Sequence, residues 1–393
     1  MQKTLFFLLL VFSFQITNAQ QNILSDNAEV SVLTIGPGRS LNDAFGHNAF
    51  RIKDSKNNLD ISFDYGRFDF YAPNFYLNFA RGKLNYAIGS TGFYDFLRFY
   101  IYQNRTVKEQ VLNLSQNEKQ SLYIFLLENN KPENQNYLYD FFFDNCATKI
   151  KDVANTNLNN TINFKQPKDF ESKTFRALIH EYVNKNSWGS LGIDIALGSV
   201  IDTKATAEEH MFLPDNIYNF FEVATLKNGE PLVKSSQVLY SKKGTVQSSS
   251  FFTSPLFVFG ILGLLILYIT FKDYKNKKQS KWLDISLFAI TGIIGVLVLL
   301  LWFATDHTAT QHNYNLLWAC ALNIIVIGQL FKLKPSKWFI KYIKFLIILL
   351  CLLTLHWIIG VQVFAIGLIP FLIALFIRYL FLANHFTKLN NVE

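Results

Sequence analysis

Five long apolar runs crowd the last third of this chain, at residues 255–271, 282–304, 315–331, 338–358 and 361–382, and no other feature restricts its fold as severely. Each is long enough to cross the roughly 30 Å of hydrocarbon in a bilayer. The loops between them set a direction. Lys272, Lys275, Lys277, Lys278 and Lys281 crowd the first loop, and Lys332, Lys334, Lys337, Lys341 and Lys344 flank the third, whereas the second loop and the turn near Gly360 carry no Lys or Arg. By the positive-inside rule the first and third loops are cytoplasmic, so the preceding two thirds of the chain lie outside. Trp282, Trp302, Trp318, Trp338 and Trp357 fall near run ends, where amphipathic rings settle at headgroup level. The formal charge of +8 sits largely in these lysine loops and reads as membrane orientation, so no nucleic-acid partner is expected. With 50% apolar and only 17% charged residues, disorder and a long coiled coil are excluded.

The amino terminus agrees with that direction. Lys3, an apolar core from Leu5 to Phe14 and the small pattern Thr17-Asn18-Ala19 read as a cleaved signal peptide, residues 1–19. Residues 20–227 mix alternating segments, Gly/Asn/Asp turns and helical patterns, and predict an exported α+β domain. Residues 228–253 turn polar and are assigned as a linker, 254–382 as an all-α five-helix transmembrane bundle, and 383–393 as a cytoplasmic tail. The expected location is the inner membrane, with multiple passes and the exported domain in the periplasm.

Chemistry concentrates in two stretches of that domain. Phe141-Phe142-Phe143-Asp144-Asn145-Cys146 reads as an extended aromatic run that stops at a helix, with Asp144 as the capping residue and Cys146 in the first turn. There the positive end of the helix dipole favours a thiolate. A small buried residue at a helix start is the commoner reading, but an unpaired thiol in an oxidising compartment is a liability unless it is used. Cys320 and Cys351 lie inside apolar runs and offer no disulfide partner. His47 lies in an alternating stretch followed by a turn at 54–58 and a second alternating run from Asp60 to Gly66, which is a hairpin pattern. A turn centred near residues 55 and 56 places Asp64 opposite His47, with Asp60 one pleat away on the same face. Asp64, or alternatively Asp60, would orient the imidazole, which would take the Cys146 proton. Asn145 is a candidate oxyanion donor. Arg51 and Arg81 are candidates to hold a phosphate or carboxylate, and the aromatic segment from Tyr65 to Phe79 is a candidate acyl-chain lining. The loop containing Asp306 and His307 could face the exported domain as a substrate portal. No zinc spacing, phosphate-binding glycine loop or serine elbow is present, so neither metal nor other cofactor is expected.

The ordered set Gly46-His47 with Arg51-Ile52, Tyr65-Gly66-Arg67-Phe68-Asp69-Phe70 and Phe142-Phe143-Asp144-Asn145-Cys146-Ala147-Thr148 resembles the Lnb N-terminal periplasmic domain family. The tail, with Thr305-Asp306-His307 and Asn315-Leu316-Leu317-Trp318, resembles the transmembrane domain that accompanies it. The resemblance implies a lipoprotein N-acyltransferase, and kinship with permuted papain-like thiol enzymes in which the His precedes the Cys. His47 then matches the base and Cys146 the nucleophile. A membrane glycerophospholipid would be the acyl donor and a lipoprotein N-terminus, as diacylglyceryl-cysteine, the acceptor. Lys149 departs from the resemblance, keeping a positive charge where relatives carry Arg but losing its two-pronged geometry. Two rival readings stand beside it: a thiol peptidase or amidase acting on peptidoglycan, and a membrane-anchored binding or assembly protein in which Cys146 is structural.

Overall fold

The computed structural model describes residues 23–69, 71–244 and 250–391; the expected signal peptide lies outside them. Seven strands, β1 (Glu29–Ile35), β2 (His47–Asp54), β3 (Leu59–Arg67), β4 (Asn85–Gly92), β5 (Val107–Leu112), β6 (Asn136–Leu138) and β7 (Val233–Tyr240), form one antiparallel sheet in the order β6-β4-β3-β2-β1-β5-β7. Helices α1 (Phe75–Arg81), α2 (Phe93–Tyr102), α3 (Gln116–Asn129), α4 (Cys146–Asn157), α5 (Phe175–Tyr182), α6 (Trp188–Ala196) and α7 (Pro214–Val223) surround it. This is the expected α+β domain.

Strand alternation sorts the side chains onto two faces. Val32, Phe50, Ile52 and Phe63 pack with Ala147, Ile150 and Val153 of α4 and with Ile217, Phe220 and Phe221 of α7. Leu33, Ile35 and Ala49 pack on the other face with Phe93, Phe96 and Tyr100 of α2. With both faces covered, β1 and β2 are buried along nearly their whole length, although polar residues such as Ser31, Thr34, Asn48 and Arg51 interrupt them. Strand β7 corrects a boundary: residues expected to belong to a linker extend the sheet alongside β5. It is an edge strand, mostly exposed, so its sequence VKSSQVLY carries little apolar signal.

In the membrane region, α8 (Pro255–Asn276), α9 (Lys281–Phe303) and α11 (Lys337–Ile358) are joined by α12 (Ile369–Asn391). With the turn that leads into α12, these are the four helices among the described residues long and apolar enough to cross a membrane. The third expected span is the exception. It consists of a 3-10 segment at Tyr314–Leu317, the one-turn helix α10 (Asn323–Val326) and a further 3-10 segment at Ile327–Phe331. It still runs from one end of the bundle to the other. Asn315 donates to the Asp194 carbonyl of the exported domain, and the Phe331 carbonyl accepts from Lys281 at the far end. A 3-10 turn rises about 2.0 Å per residue against 1.5 Å in an α-helix, so this short run covers the distance with fewer residues. The break lies on Gly295 of α9, where a Cβ would stand 2.1 Å from the Ala319 carbonyl oxygen. Asn323 donates to Thr291 at 2.8 Å and accepts from Tyr342 at 2.6 Å, so polar groups in the broken segment are satisfied internally. Apolar content cannot distinguish such a segment from a regular helix. A second boundary also moves: α12 continues to Asn391, through residues expected to form a tail.

Candidate active site

The nucleophile candidate is placed by a turn and a cap. Asp140 accepts from the Phe142 and Phe143 N–H groups, which folds the aromatic run into a turn rather than a strand. Asn145, not Asp144, caps α4: its side-chain oxygen accepts from Ala147 and Thr148, and Thr148 Oγ1 accepts from the Asn145 N–H in return. Asp144 instead pairs with Lys149 at 2.6 Å. Cys146 is therefore the first residue of the helix, within reach of its dipole. The Asn145 amide group donates to the Phe141 and Phe212 carbonyls, so both ends of this side chain are occupied and it is not available as an oxyanion donor.

His47 opens β2 at the same end of the sheet. The hairpin register differs by two residues from the expected one, with Asp64 opposite Ala49. An even shift keeps Asp64 on the His47 face, and its carboxylate reaches diagonally to His47 Nε2 at 3.2 Å. Asp60, the other orienting candidate, is held instead by Arg51, at 2.8 and 2.7 Å. Asp64 is steadied from its other side by Arg67, whose Nε donates to Oδ1 at 3.0 Å.

His47 faces α2, while α4 packs on the opposite face of the sheet, so the two can meet only where the sheet opens. Pairing of β3 with β4 is shifted between Asp64 and Arg67, and Gly66 adopts φ +94 within that shift. A Cβ on Gly66 would stand 3.7 Å from Cys146 Cβ and 4.0 Å from His47 Cε1. The glycine thus forms the floor between imidazole and thiol, which lie close enough that each shifts the other's pKa. The Asn48 N–H, beyond the last residue of β2 paired to β3, also favours the thiolate.

Electrostatics favour the ion pair. Burial alone would lower the basicity of His47, but its neighbours Tyr100, Cys146 and Asp64 outweigh it and raise its pKa well above the ordinary value. Tyr100 is itself pushed up by burial and stays neutral near pH 7, so the standing charges are those of Cys146 and Asp64. Burial would raise the Cys146 thiol, yet the nearby His47 charge, with the Asn48 N–H, brings it below the usual thiol range. Asp64 lies below the usual carboxylate range because His47 and Arg67 overcome its burial. The thiolate is the nucleophilic form.

The site sits at the junction with the membrane region. Thr308, in the loop after α9, donates to Asp140 at 2.7 Å and so touches the turn that carries Cys146. Residues 16–181 match the family model of the Lnb N-terminal periplasmic domain, and residues 246–389 match that of the Lnb transmembrane domain. The chain belongs to the Lnb family. It is a membrane protein with a periplasmic domain. No curated protein and no solved structure matches it.

Other candidates in this Lnb-family chain have different surroundings. Arg51 is buried between Asp60 and Glu109 and lies 3.3 Å above the Phe93 ring, which makes it a structural cation rather than a free anion holder. Tyr65 points into the core and donates to Asn129 at 2.6 Å, so it lines no acyl cleft beside Cys146. It does border a cavity of about 240 Å³ with Asn129, Tyr137 and Lys149, which does not include the thiol or His47. Lys149 is held by Asp144 and lies over Tyr137. Arg81 is exposed, and its carbonyl accepts from the Asp306 N–H. His307 contacts the Phe79 carbonyl at 2.9 Å, so the loop of Asp306 and His307 does face the periplasmic domain. Arg67, Asn48 and Tyr100 were not anticipated. Only Arg67 left a trace, three residues after Asp64, and reading it required the irregularity at Gly66.

Proposed function

We propose that this protein is a lipoprotein N-acyltransferase of the inner membrane, with Cys146 as nucleophile, His47 as proton carrier and Asp64 as the residue that orients it. One observation carries the reading most: a thiol–imidazole–carboxylate array stands on a turn bonded directly to the loop that leaves a membrane span. With Nε2 held by Asp64, Nδ1 is the nitrogen suited to exchange a proton with the thiol.

The Cys146 thiolate attacks the carbonyl carbon of a glycerolipid ester, forming a carbon–sulfur bond. The tetrahedral intermediate then expels the glyceryl oxygen, which takes the proton held on His47 and departs as the lyso-lipid alcohol. The oxyanion forms at the positive end of α4, where the Cys146 N–H is a first-turn donor that the Asn145 cap does not take. In the second half the α-amino group of a diacylglyceryl-cysteine attacks the thioester, His47 accepts the amine proton, and the amide leaves as the thiolate is restored. Atoms balance without ATP. Since donor and acceptor are both lipid-anchored, holding the catalytic domain at the leaflet turns a three-dimensional search into a lateral one.

The test is a Cys146→Ser or Cys146→Ala protein in cells, with lipoprotein N-termini read by mass spectrometry. Free α-amino groups on the diacylglyceryl-cysteine are expected. Altered muropeptides with intact N-acylation would instead favour the thiol hydrolase, and no change in either would favour a binding or assembly role. In vitro, a hydroxylamine-labile acyl adduct on Cys146 after incubation with phospholipid is the expected intermediate.

A further inference from the structure

None of the residues of helix α1 is buried, and Tyr76, Leu77 and Phe79 are exposed, as is Tyr71 just before it. Such a surface in water would be costly to keep. Its position accounts for it. The Asp306 N–H donates to the Arg81 carbonyl at 2.8 Å, His307 Nε2 to the Phe79 carbonyl at 2.9 Å, and Lys83 pairs with Asp306 at 3.4 Å. Asp306 lies only three residues beyond Phe303, the end of the span α9. The carboxyl end of α1 is therefore fixed at the level where that span meets water, the level at which aromatic rings settle in a bilayer. The helix carries no acidic residue, and Arg81 closes its last turn with Lys83 following, as suits phosphate headgroups.

A row of rings leads inward from this helix. Phe75 stacks on Phe68 with centroids 6.0 Å apart, Phe68 meets Tyr86 at 5.1 Å, and Tyr86 stacks on Tyr139 at 4.1 Å. Tyr139 directly precedes the Asp140–Asp144 turn that carries Cys146.

We propose that α1 lies in the outer leaflet at the headgroup–acyl boundary, and that the row Phe75, Phe68, Tyr86 and Tyr139 is the path by which a lipid ester leaves that leaflet for Cys146. The second half of this statement rests on the acyl-transfer reading; the first does not. The apolar face is expected to sit roughly 5–10 Å into the boundary region, as interfacial helices do.

Depth is measured on full-length protein in phosphatidylethanolamine/phosphatidylglycerol nanodiscs. A nitrobenzoxadiazole probe is placed by Tyr76→Cys in a Cys146→Ala, Cys320→Ala, Cys351→Ala background, with Lys56→Cys in the distant hairpin turn as control. Nitroxide-labelled lipids are expected to quench the Tyr76 probe and leave the Lys56 probe bright; equal quenching at both sites overturns the insertion. The path is tested with Tyr76→Ser, Leu77→Ser and Phe79→Ser combined. Acylation of Cys146 by a nanodisc-borne phospholipid is expected to fall on the order of tenfold, while iodoacetamide alkylation of Cys146 keeps its rate. Equal losses in both assays, or none in the first, overturn the path. If the parent protein is never acylated by phospholipid while the Tyr76 probe is still quenched, the acyl-transfer reading fails and the membrane-lying helix stands.

Discussion

Two histidine–aspartate–arginine clusters occur in the periplasmic domain, and they are nearly matched in geometry. His47 lies 3.2 Å from Asp64, which Arg67 holds; His180 lies 3.1 Å from Asp194, which Arg176 holds at 2.8 Å. The second cluster is the more deeply buried and the more completely saturated. Arg176 also bonds Asp202 and the carbonyls of Leu197 and Gly198, and fastens α5 to α6 beneath the membrane junction. What the first cluster has, and the second lacks among the contacts described, is a thiol at a helix start beside the ring. A histidine oriented by a carboxylate is therefore common structural currency, and the neighbour across the imidazole decides whether it is chemistry.

The largest separation should come from Cys146→Ala. It removes a small side chain at a capped helix start, so thermal unfolding in detergent should barely move, while thioester formation should fall by on the order of 10³-fold or more. An equal loss from a change in the second cluster, in protein shown to be folded, would erase the distinction.

Arg176→Ala is the counterpart. It leaves Asp194 and Asp202 buried without their cation, a defect that typically costs about 3–5 kcal/mol. The expected result is a clearly lowered melting temperature with the alkylation rate of Cys146 per folded molecule unchanged. A changed rate profile with undisturbed melting would make the second cluster part of the chemistry.

How far the sequence could be read differs between these clusters for physical reasons. The thiol and His47 were legible because each sits at a local signal, a helix start and a strand start. Asp194 and Arg176 sit on separate helices, and only tertiary packing joins them, so no local pattern marks them. The hairpin register was legible in parity and not in value: alternation puts Asp64 on the His47 face, but the turn geometry at 55–58 sets which residue lies opposite. The broken third span was illegible because an apolar run records that a segment meets lipid or core, whereas its backbone is set by Gly295 of a neighbouring helix. Strand β7 was hidden by the polarity that an exposed edge permits. Arg51 misled because a charge in a strand looks available until its burial between Asp60 and Glu109 is seen.

Asp64→Asn should give an intermediate effect with a definite sign. The carboxylate helps to hold His47 above its ordinary pKa, so its removal lowers the pKa of the imidazolium. Reactivity that needs the thiolate–imidazolium pair appears as pH rises through the depressed Cys146 pKa and is lost as pH rises through the elevated His47 pKa; both limbs belong to the coupled pair. The alkaline limb of the acylation profile should therefore move to lower pH, and the maximal rate should fall roughly 10- to 100-fold, within the range that general acid–base assistance supplies. An unmoved alkaline limb would mean that Asp64 does no more for His47 than Asp194 does for His180.

The smallest effect is expected at Asp60, and it sharpens the comparison most cheaply, because Asp60 and Asp64 are four residues apart on one face of one strand. Asp60 bonds Arg51 from a partly exposed position, while Arg51 keeps a second, buried partner in Glu109. Asp60→Asn removes one of two counter-charges and leaves the guanidinium compensated, so stability should change by about 1 kcal/mol or less. Nothing connects it to the imidazole, so the pH profile of Cys146 acylation should superimpose on that of the parent. If instead Asp60→Asn shifts the alkaline limb and Asp64→Asn does not, the roles of the two carboxylates are exchanged, and the strand register would have to slide in the membrane-bound protein to bring Asp60 to His47.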